Sequence, residues 1–390
     1  MSARRNTGVA SNPSLHAVIL AGGAGERFWP VSRRHRPKPF LRVVGGKTLL
    51  EATLERARRF VSEENVWIVC GHEHARAMRA ESGLPASRVL VEPRRRNTAL
   101  AVAWAAHRIR AGDREAVMAV LSADHHIPDA AAFARAMRTS AKAAHSAGVL
   151  MTVGVRPTRP ETGYGYIQLG APAGKGYAGL HRVRRFVEKP DAARARRYVA
   201  LGDYLWNAGI FVWSAQTLLN EIEICAPDLH RALAPLRKSP RGRAKVVESV
   251  YRRAPSLAID VAVMERSRRV WTIPADFAWS DVGTWASLAE ELGVGQARSR
   301  VSPAGKRARR SAGDHEVDGN GNCVLEGDVL FEASHSNFVW GGDRLIALLG
   351  VDDLAVIDTE DVILVTKLDD SPDVRKFVAA LKLKKRDDLT

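Results

Sequence analysis

The chain has 390 residues, 46% of them hydrophobic and 26% charged, which describes a folded globular protein with room for one large α/β domain and a smaller one. A formal charge of +16 raises the question of nucleic acid, but the arginines are scattered along the whole chain without the interleaved aromatics of a strand-binding groove, and the balance suits anionic small substrates instead. Cys70, Cys225 and Cys323 stand far apart with no Cys-x-x-Cys spacing, and no apolar run approaches the roughly 18–20 residues of a membrane span, so zinc, disulfides and a membrane are not indicated and a reducing, cytoplasmic setting is expected.

Residues 1–13 carry Arg4 and Arg5, and the apolar stretch that follows is too short for a signal peptide, so a disordered tail is expected. Ala17-Val18-Ile19-Leu20 then reads as a buried strand. It runs into Leu20-Ala21-Gly22-Gly23-Ala24-Gly25-Glu26-Arg27, where glycines let backbone N–H groups wrap a polyphosphate that side chains would keep away. Arg27, and Lys38 in Pro37-Lys38-Pro39, supply positive charge to phosphates held there. Two commoner phosphate motifs fail: a dinucleotide fingerprint starting at Gly23 would need glycine where Phe28 stands, and Gly46-Lys47-Thr48 lacks the first P-loop glycine because Leu41 occupies it. The second tripeptide reads as a turn into a helix beginning near Leu49, with Leu50, Leu54, Ala57 and Val61 on one face.

Further strand-like runs follow at Val66–Cys70, Val89–Val91, Val117–Leu121 and Leu150–Val155, with a helical pattern across Ala99–Ala106. This alternation predicts a doubly wound, mostly parallel α/β sheet with helices on both faces, and ligands at the carboxyl ends of its strands. Glu92 follows the strand-like Val89–Val91, and Asn97 or Thr98 is placed to cap the next helix and leave its free N–H groups facing the site. Asp124, in Leu121-Ser122-Ala123-Asp124-His125-His126, offers a carboxylate at a strand end for Mg²⁺, which needs one or two carboxylates plus phosphate oxygens. Adjacent histidines rarely chelate one ion together, so His125 and His126 read as supporting residues.

Thr162-Gly163-Tyr164-Gly165-Tyr166 is a glycine-flexed strand suited to close ligand approach. Glu188-Lys189-Pro190 follows the strand-like Val183–Val187, and Asn207 opens Asn207-Ala208-Gly209-Ile210-Phe211. Glu188 and Asn207 offer hydroxyl-binding acceptors and donors, and Lys189 a cation for a sugar phosphate. Asp281 lies in Phe277-Ala278-Trp279-Ser280-Asp281-Val282-Gly283-Thr284, either as a second metal carboxylate or as a cap for a helix at Trp285–Leu288. Residues 293–313 are rich in Arg, Gly, Ser and Ala and read as a basic linker. Beyond it, 314–390 carries short apolar runs at Cys323–Leu325, Val329–Phe331, Phe338–Trp340, Leu345–Leu349, Leu354–Ile357 and Val362–Val365, separated by Gly- and Asp-rich turns. These predict a small all-β or solenoid element, closed by a helix after Ser371-Pro372-Asp373.

Taken as an ordered series, these stretches resemble the mannose-1-phosphate guanylyltransferases (GDP-mannose pyrophosphorylases), a branch of the sugar-nucleotide pyrophosphorylases. The match runs through Leu20–Pro30, Glu92–Ala99, Ser122–His125, Phe186–Pro190, Trp206–Phe211 and Ile259–Glu265, spans roughly 15–288, and continues more loosely beyond. The resemblance implies a short, monofunctional enzyme joining GTP and mannose 1-phosphate, with Mg²⁺ held by Asp124 and Asp281. It implies catalytic roles for Arg27, Lys38, Asp124 and Asp281. The nucleotide falls to Leu20, Ala21, Gly22, Gly23, Gly25, Glu92, Asn97, Thr98 and Ala99, and the sugar phosphate to Gly165, Glu188, Lys189 and Asn207. It further implies a catalytic domain over 14–292 and a left-handed β-helix over 314–390 whose apolar edge favours a homodimer.

Overall fold

The computed structural model describes residues 13–23, 25–239, 242–295, 308–310 and 315–390. The disordered tail expected before Ser14 falls, but for Pro13, outside the described residues, as does most of the basic segment 293–313. Within that segment Ala308–Arg310 is a short strand, paired with residues 327–329, and not simply linker.

Nine strands build the main sheet: β1 (Leu15–Ala21), β2 (Val66–Gly71), β3 (Val89–Glu92), β4 (Val117–Ser122), β5 (Leu150–Val155), β6 (Gly165–Pro172), β7 (His181–Val187), β8 (Tyr204–Ser214) and β9 (Val270–Pro274), in the order β3-β2-β1-β4-β8-β5-β9-β7-β6. The first four pair in parallel, as the alternating pattern predicts. The far half is mixed: β8 is antiparallel to β4 and β5, and also pairs with β6. β6 and β7 are antiparallel neighbours, because the loop between them is too short for the helical crossover a parallel pair requires.

Both faces are covered, and the residue alternation shows why. Ala17 and Ile19 of β1, with Ile68 and Cys70 of β2, face one core, shared with Leu50 and Leu54 of α1 (Leu49–Arg58). Val18, Trp67 and Val69 face the opposite core, against Leu100 and Trp104 of α2 (Asn97–Arg110). Period two in the strands and about 3.6 in the helices thus specify a three-layer stack. The Gly46-Lys47-Thr48 turn does lead into α1, where Thr48 and Glu51 form a reciprocal capping box.

The apolar runs after 314 fuse into longer strands than their spacing suggests: β10 (Cys323–Glu332), β11 (Phe338–Leu349), β12 (Leu354–Asp358) and β13 (Ile363–Lys367). β10, β11 and β12 are parallel neighbours joined by tight turns with no helix between, so each circuit of the chain stacks on the last. Asn322 and Asn337, buried at successive corners, form a ladder: Asn337 donates its side-chain amide to Asn322 Oδ1 at 2.9 Å, and Leu354 N donates to Asn337 Oδ1 at 3.0 Å. That is the geometry of a coiled β-solenoid. It packs through Phe338, Trp340 and Ile357 onto Phe28, Trp29 and Trp285 of the main domain. The last helix, α3 (Arg375–Leu383), and the chain end then grip the segment after the glycine loop. Lys382 pairs with Glu26 at 2.6 Å, and Trp29 Nε1 donates to the Leu389 carbonyl at 2.7 Å.

Candidate active site

At the carboxyl ends of β1, β3 and β4 the sheet opens into a cleft of about 650 Å³. It gathers Leu20, Ala21, Gly22, Gly23, Glu92, Asn97, Thr98, Asp124, Gly165, Glu188, Lys189, Asn207 and Asp281, residues drawn from separate motifs. Lys38 approaches from the 3-10 turn Lys38–Phe40, with the prolines on either side restricting its backbone. Its ammonium donates to Asp124 Oδ2 at 2.8 Å and to the Asp281 carbonyl at 2.6 Å. Gly25 is what lets the loop lie this close: at φ 65° it sits in the left-handed region, and a Cβ there would fall 2.6 Å from Lys38 Cβ.

Asp124 and Asp281 are brought together by backbone. His126 and Ser280 exchange two hydrogen bonds, at 2.9 and 3.0 Å, and zip the two loops edge to edge. From below, the buried Arg56 of α1 donates to the His125 carbonyl at 2.8 Å and to Thr53 at 2.6 Å. Burial would raise the Asp124 carboxyl, but the Lys38 ammonium, then His125 and a hydrogen bond from Ser122, hold it down to about 2. It is therefore a carboxylate at any working pH. Asp281 Oδ1 accepts from the Tyr164 hydroxyl at 2.6 Å. Burial, then the Asp281 charge, push that phenol far above its ordinary value, so it remains a donor. Asp281 does not cap the following helix: Thr284 does, in a capping box with Ser287.

The two histidines diverge. His125 borders the cleft edge-on to Trp279 and accepts from its indole N–H at 3.2 Å through Nδ1, which puts the neutral ring's proton on Nε2. Burial lowers it to about 4, with Asp124 opposing. His126 lies 3.2 Å from Glu291.

At the other end of the cleft, Asn207 sits at a bulge in β8, where the pairing with β5 shifts register between Asn207 and Phe211. Its carboxamide is fixed on both sides, Nδ2 donating to Asp260 at 2.9 Å and Oδ1 accepting from Thr152 at 3.0 Å. Lys189 lies 3.2 Å from Glu188, whose carboxyl hangs over Gly165 so closely that a Cβ there would meet it at 2.6 Å. Burial, then repulsion from Asp260, raises Glu188, and burial raises Asp260. Glu92, facing Gly22, is pushed up to about 7 by burial despite the hydrogen bond it accepts from Tyr251 at 3.1 Å.

Three expected residues lie elsewhere. Arg27 is exposed on the 3-10 turn Glu26–Phe28, off the cleft wall. Gly25 serves packing against Lys38. Ala99 is fully buried in the core behind the cleft, its N–H bonded to the Leu257 carbonyl at 3.0 Å. The helix-capping expectation also changes: the residue preceding α2 is Arg96, Asn97 has φ 59°, and the Thr98 N–H is taken by Asn97 Oδ1 at 2.9 Å. The first N–H groups of α2 are therefore partly engaged, because the Asn97 and Leu257 acceptors reach them first. Sequence reasoning passed over Tyr164, Trp279 and Asp260, although each stands inside one of the motifs. Asp260 carried one further signal, an acid inside an otherwise apolar helical turn, which the chain forms as the π-turn Asp260–Met264.

Comparison with known proteins adds the following. The Nucleotidyl transferase family model matches residues 16–293, and the MannoseP isomerase/GMP-like beta-helix domain matches residues 328–381. The alginate biosynthesis protein AlgA of Pseudomonas aeruginosa is 36% identical over 370 residues, covering 93% of this chain and 71% of that one. A mannose-1-phosphate guanylyltransferase of Escherichia coli is 36% identical over 379 residues, covering 95% of this chain and 75% of that one. A crystal structure from Thermus thermophilus, described as a mannose-1-phosphate geranyltransferase, is similar with a TM-score of 0.80 at 35% identity, covering 95% of this chain and 99% of that one.

Proposed function

The chain belongs to the nucleotidyl transferase family, and on that premise we propose that it acts as a mannose-1-phosphate guanylyltransferase, making GDP-mannose and diphosphate from GTP and mannose 1-phosphate. The sugar phosphate oxygen attacks the α-phosphorus of GTP and diphosphate leaves, with no covalent protein intermediate. Transfer of this kind depends on alignment and charge stabilisation. The observation that carries the reading is Lys38 bridging Asp124 and the Asp281 loop at the mouth of the glycine loop.

Lys38 meets the charge that builds on the α-phosphate. Arg27, exposed on the turn after the glycine loop and off the cleft wall, would have to turn inward to meet the departing diphosphate. Glu92, Asn97 and Thr98 border the nucleoside end, and Glu188, Asn207, Lys189 and the Gly165 backbone take the hexose phosphate. Asp124 and Asp281 fit Mg²⁺: one is held ionised, both face the cleft, and a pair of carboxylates plus phosphate oxygens is the donor set this hard cation takes. When bound there, the ion supplies charge neutralisation between the two substrates' phosphates. Buried free cysteines support a reducing, cytoplasmic setting, and among the described residues no helix is long and apolar enough to cross a membrane. The exposed Leu349, Ile363 and Val365 on the solenoid support a homodimer.

Diphosphate release measured over a small matrix of nucleoside triphosphates and sugar 1-phosphates tests the reading. GTP with mannose 1-phosphate is expected to be the best pair, and a clear preference for dTTP or ATP with glucose 1-phosphate would overturn it.

A further inference from the structure

A second cavity, of about 470 Å³, opens at the opposite pole of the sheet, where the amino ends of β1 and β2 meet the last turn of α2. Two cations converge on one indole there: Arg88 lies 4.2 Å and Arg108 5.9 Å from the Trp67 ring. Among the described residues neither guanidinium has an ion-pair or hydrogen-bond partner. The acid lining the cavity is already engaged. Asp113 accepts from the Ser14 hydroxyl and, at 2.9 Å, from the Glu115 N–H. His16 is engaged as well, accepting from Trp67 Nε1 at 3.2 Å and meeting Ser14 at 2.9 Å. Because its Nδ1 is the acceptor, its Nε2 carries the proton, which removes it as a base for Ser14 and excludes a Ser–His nucleophile. What remains uncommitted is a pair of guanidiniums, with the Asn65 carboxamide and Ser87 hydroxyl beside them on the wall.

We infer that this cavity is a second anion site, separate from the cleft, that takes the phosphate or diphosphate group of a small molecule. Guanidinium forks match phosphate oxygens in geometry and charge, and two of them share this cavity with neither paired to its one carboxylate, Asp113, which leaves room for the counter-charge a phosphate would bring. Burial and the Arg108 charge both lower Arg88, as expected for crowded cations, with the exposed Glu64 opposing only at longer range. α2 links the two poles: Asn97 and Thr98 border the cleft, and Arg108 lies about 15 Å further along the helix at the usual rise.

The test uses the full-length protein and inorganic diphosphate in Mg²⁺-free buffer, with arginine modification by phenylglyoxal followed residue by residue by mass spectrometry. Diphosphate is expected to slow modification of Arg88 and Arg108 severalfold, both in the natural protein and in Lys38→Ala, whose cleft is impaired. Unchanged reactivity, or protection that disappears in Lys38→Ala, would overturn the proposal. A parallel arm with GTP separates the sources: protection by diphosphate alone means a free anion, and protection by both means recognition of any phosphate tail. Equilibrium dialysis gives an independent reading. Arg88→Ser/Arg108→Ser is expected to lose one bound equivalent of diphosphate while retaining diphosphate-releasing activity, and full retention of binding would also overturn the proposal.

Discussion

The two ends of the cleft are built on opposite electrostatic plans. Around Lys38 the charged groups are held by fixed partners: its ammonium lies on Asp124, and the neutral Tyr164 hydroxyl donates to Asp281. Around Asn207 two carboxyls, Glu188 and Asp260, crowd into the same wall with Lys189 as the nearby cation, and both are raised above their ordinary values. A rigid cluster suits charge that appears only in the transition state, since its dipoles need no reorganisation when the reaction occurs. Under-donated carboxyls suit a neutral polyol, whose hydroxyls supply the missing hydrogen bonds. The first end should therefore govern kcat and the second KM.

The largest effect expected is from Lys38→Ala, which should lower kcat by about 10²–10³, the scale for losing one electrostatic donor, and leave Asp124 without its buried counter-charge. Near-normal turnover would remove Lys38 from the mechanism. Asp281→Asn should reduce activity less. It preserves an oxygen for Tyr164 but loses charge, so added Mg²⁺ should restore part of the rate; a loss indifferent to Mg²⁺ concentration would contradict metal binding at Asp281.

At the sugar end, Asp260→Asn is expected to raise KM for mannose 1-phosphate by roughly tenfold, the scale of one hydrogen bond to a charged group, with kcat and KM for GTP little changed. Steady-state kinetics with each substrate varied in turn decides this. A fall confined to kcat would erase the distinction between the two ends.

How much of this was legible in the sequence divides along the same line. The charged cluster is written in short, spaced motifs, and Lys38, Asp124 and Asp281, each legible there, lie together in the fold. The supporting groups are not so written: Tyr164 and Asp260 reach their partners across 117 and 53 residues of chain, and no local pattern encodes that pairing. The parallel half of the sheet followed from strand–helix alternation, but the antiparallel half did not: the short connection between β6 and β7 sets that pair antiparallel, and nothing in the periodicity of β8 encodes its antiparallel pairing with β4 and β5. The solenoid was visible as a β-rich tail. Its grip on the glycine loop was hidden, since Trp29 and Leu389 meet across 360 residues.

The last effect expected is at Glu92, and it is read as pH dependence of stability. Burial lifts its carboxyl to about 7, above the usual glutamate range. The folded state thus holds this proton more tightly than the unfolded chain, so Glu92 favours folding most when it is protonated. Its contribution is full below the unfolded value near pH 4 and is lost as pH rises through about 7. Glu92→Gln removes that titration while keeping an oxygen to accept from Tyr251. Above pH 7 the variant should be the more stable protein by roughly 1–3 kcal/mol, at about 1.36 kcal/mol for each pH unit separating the folded and unfolded values, and the difference should vanish near pH 4. Paired thermal melts across pH 4–8 measure it. The same variant should use GTP less well, because a carboxylate that accepts from a nucleoside's N–H groups is worth its cost of burial only when the ligand is present. A variant both more stable and fully active would show that Glu92 plays no part in binding.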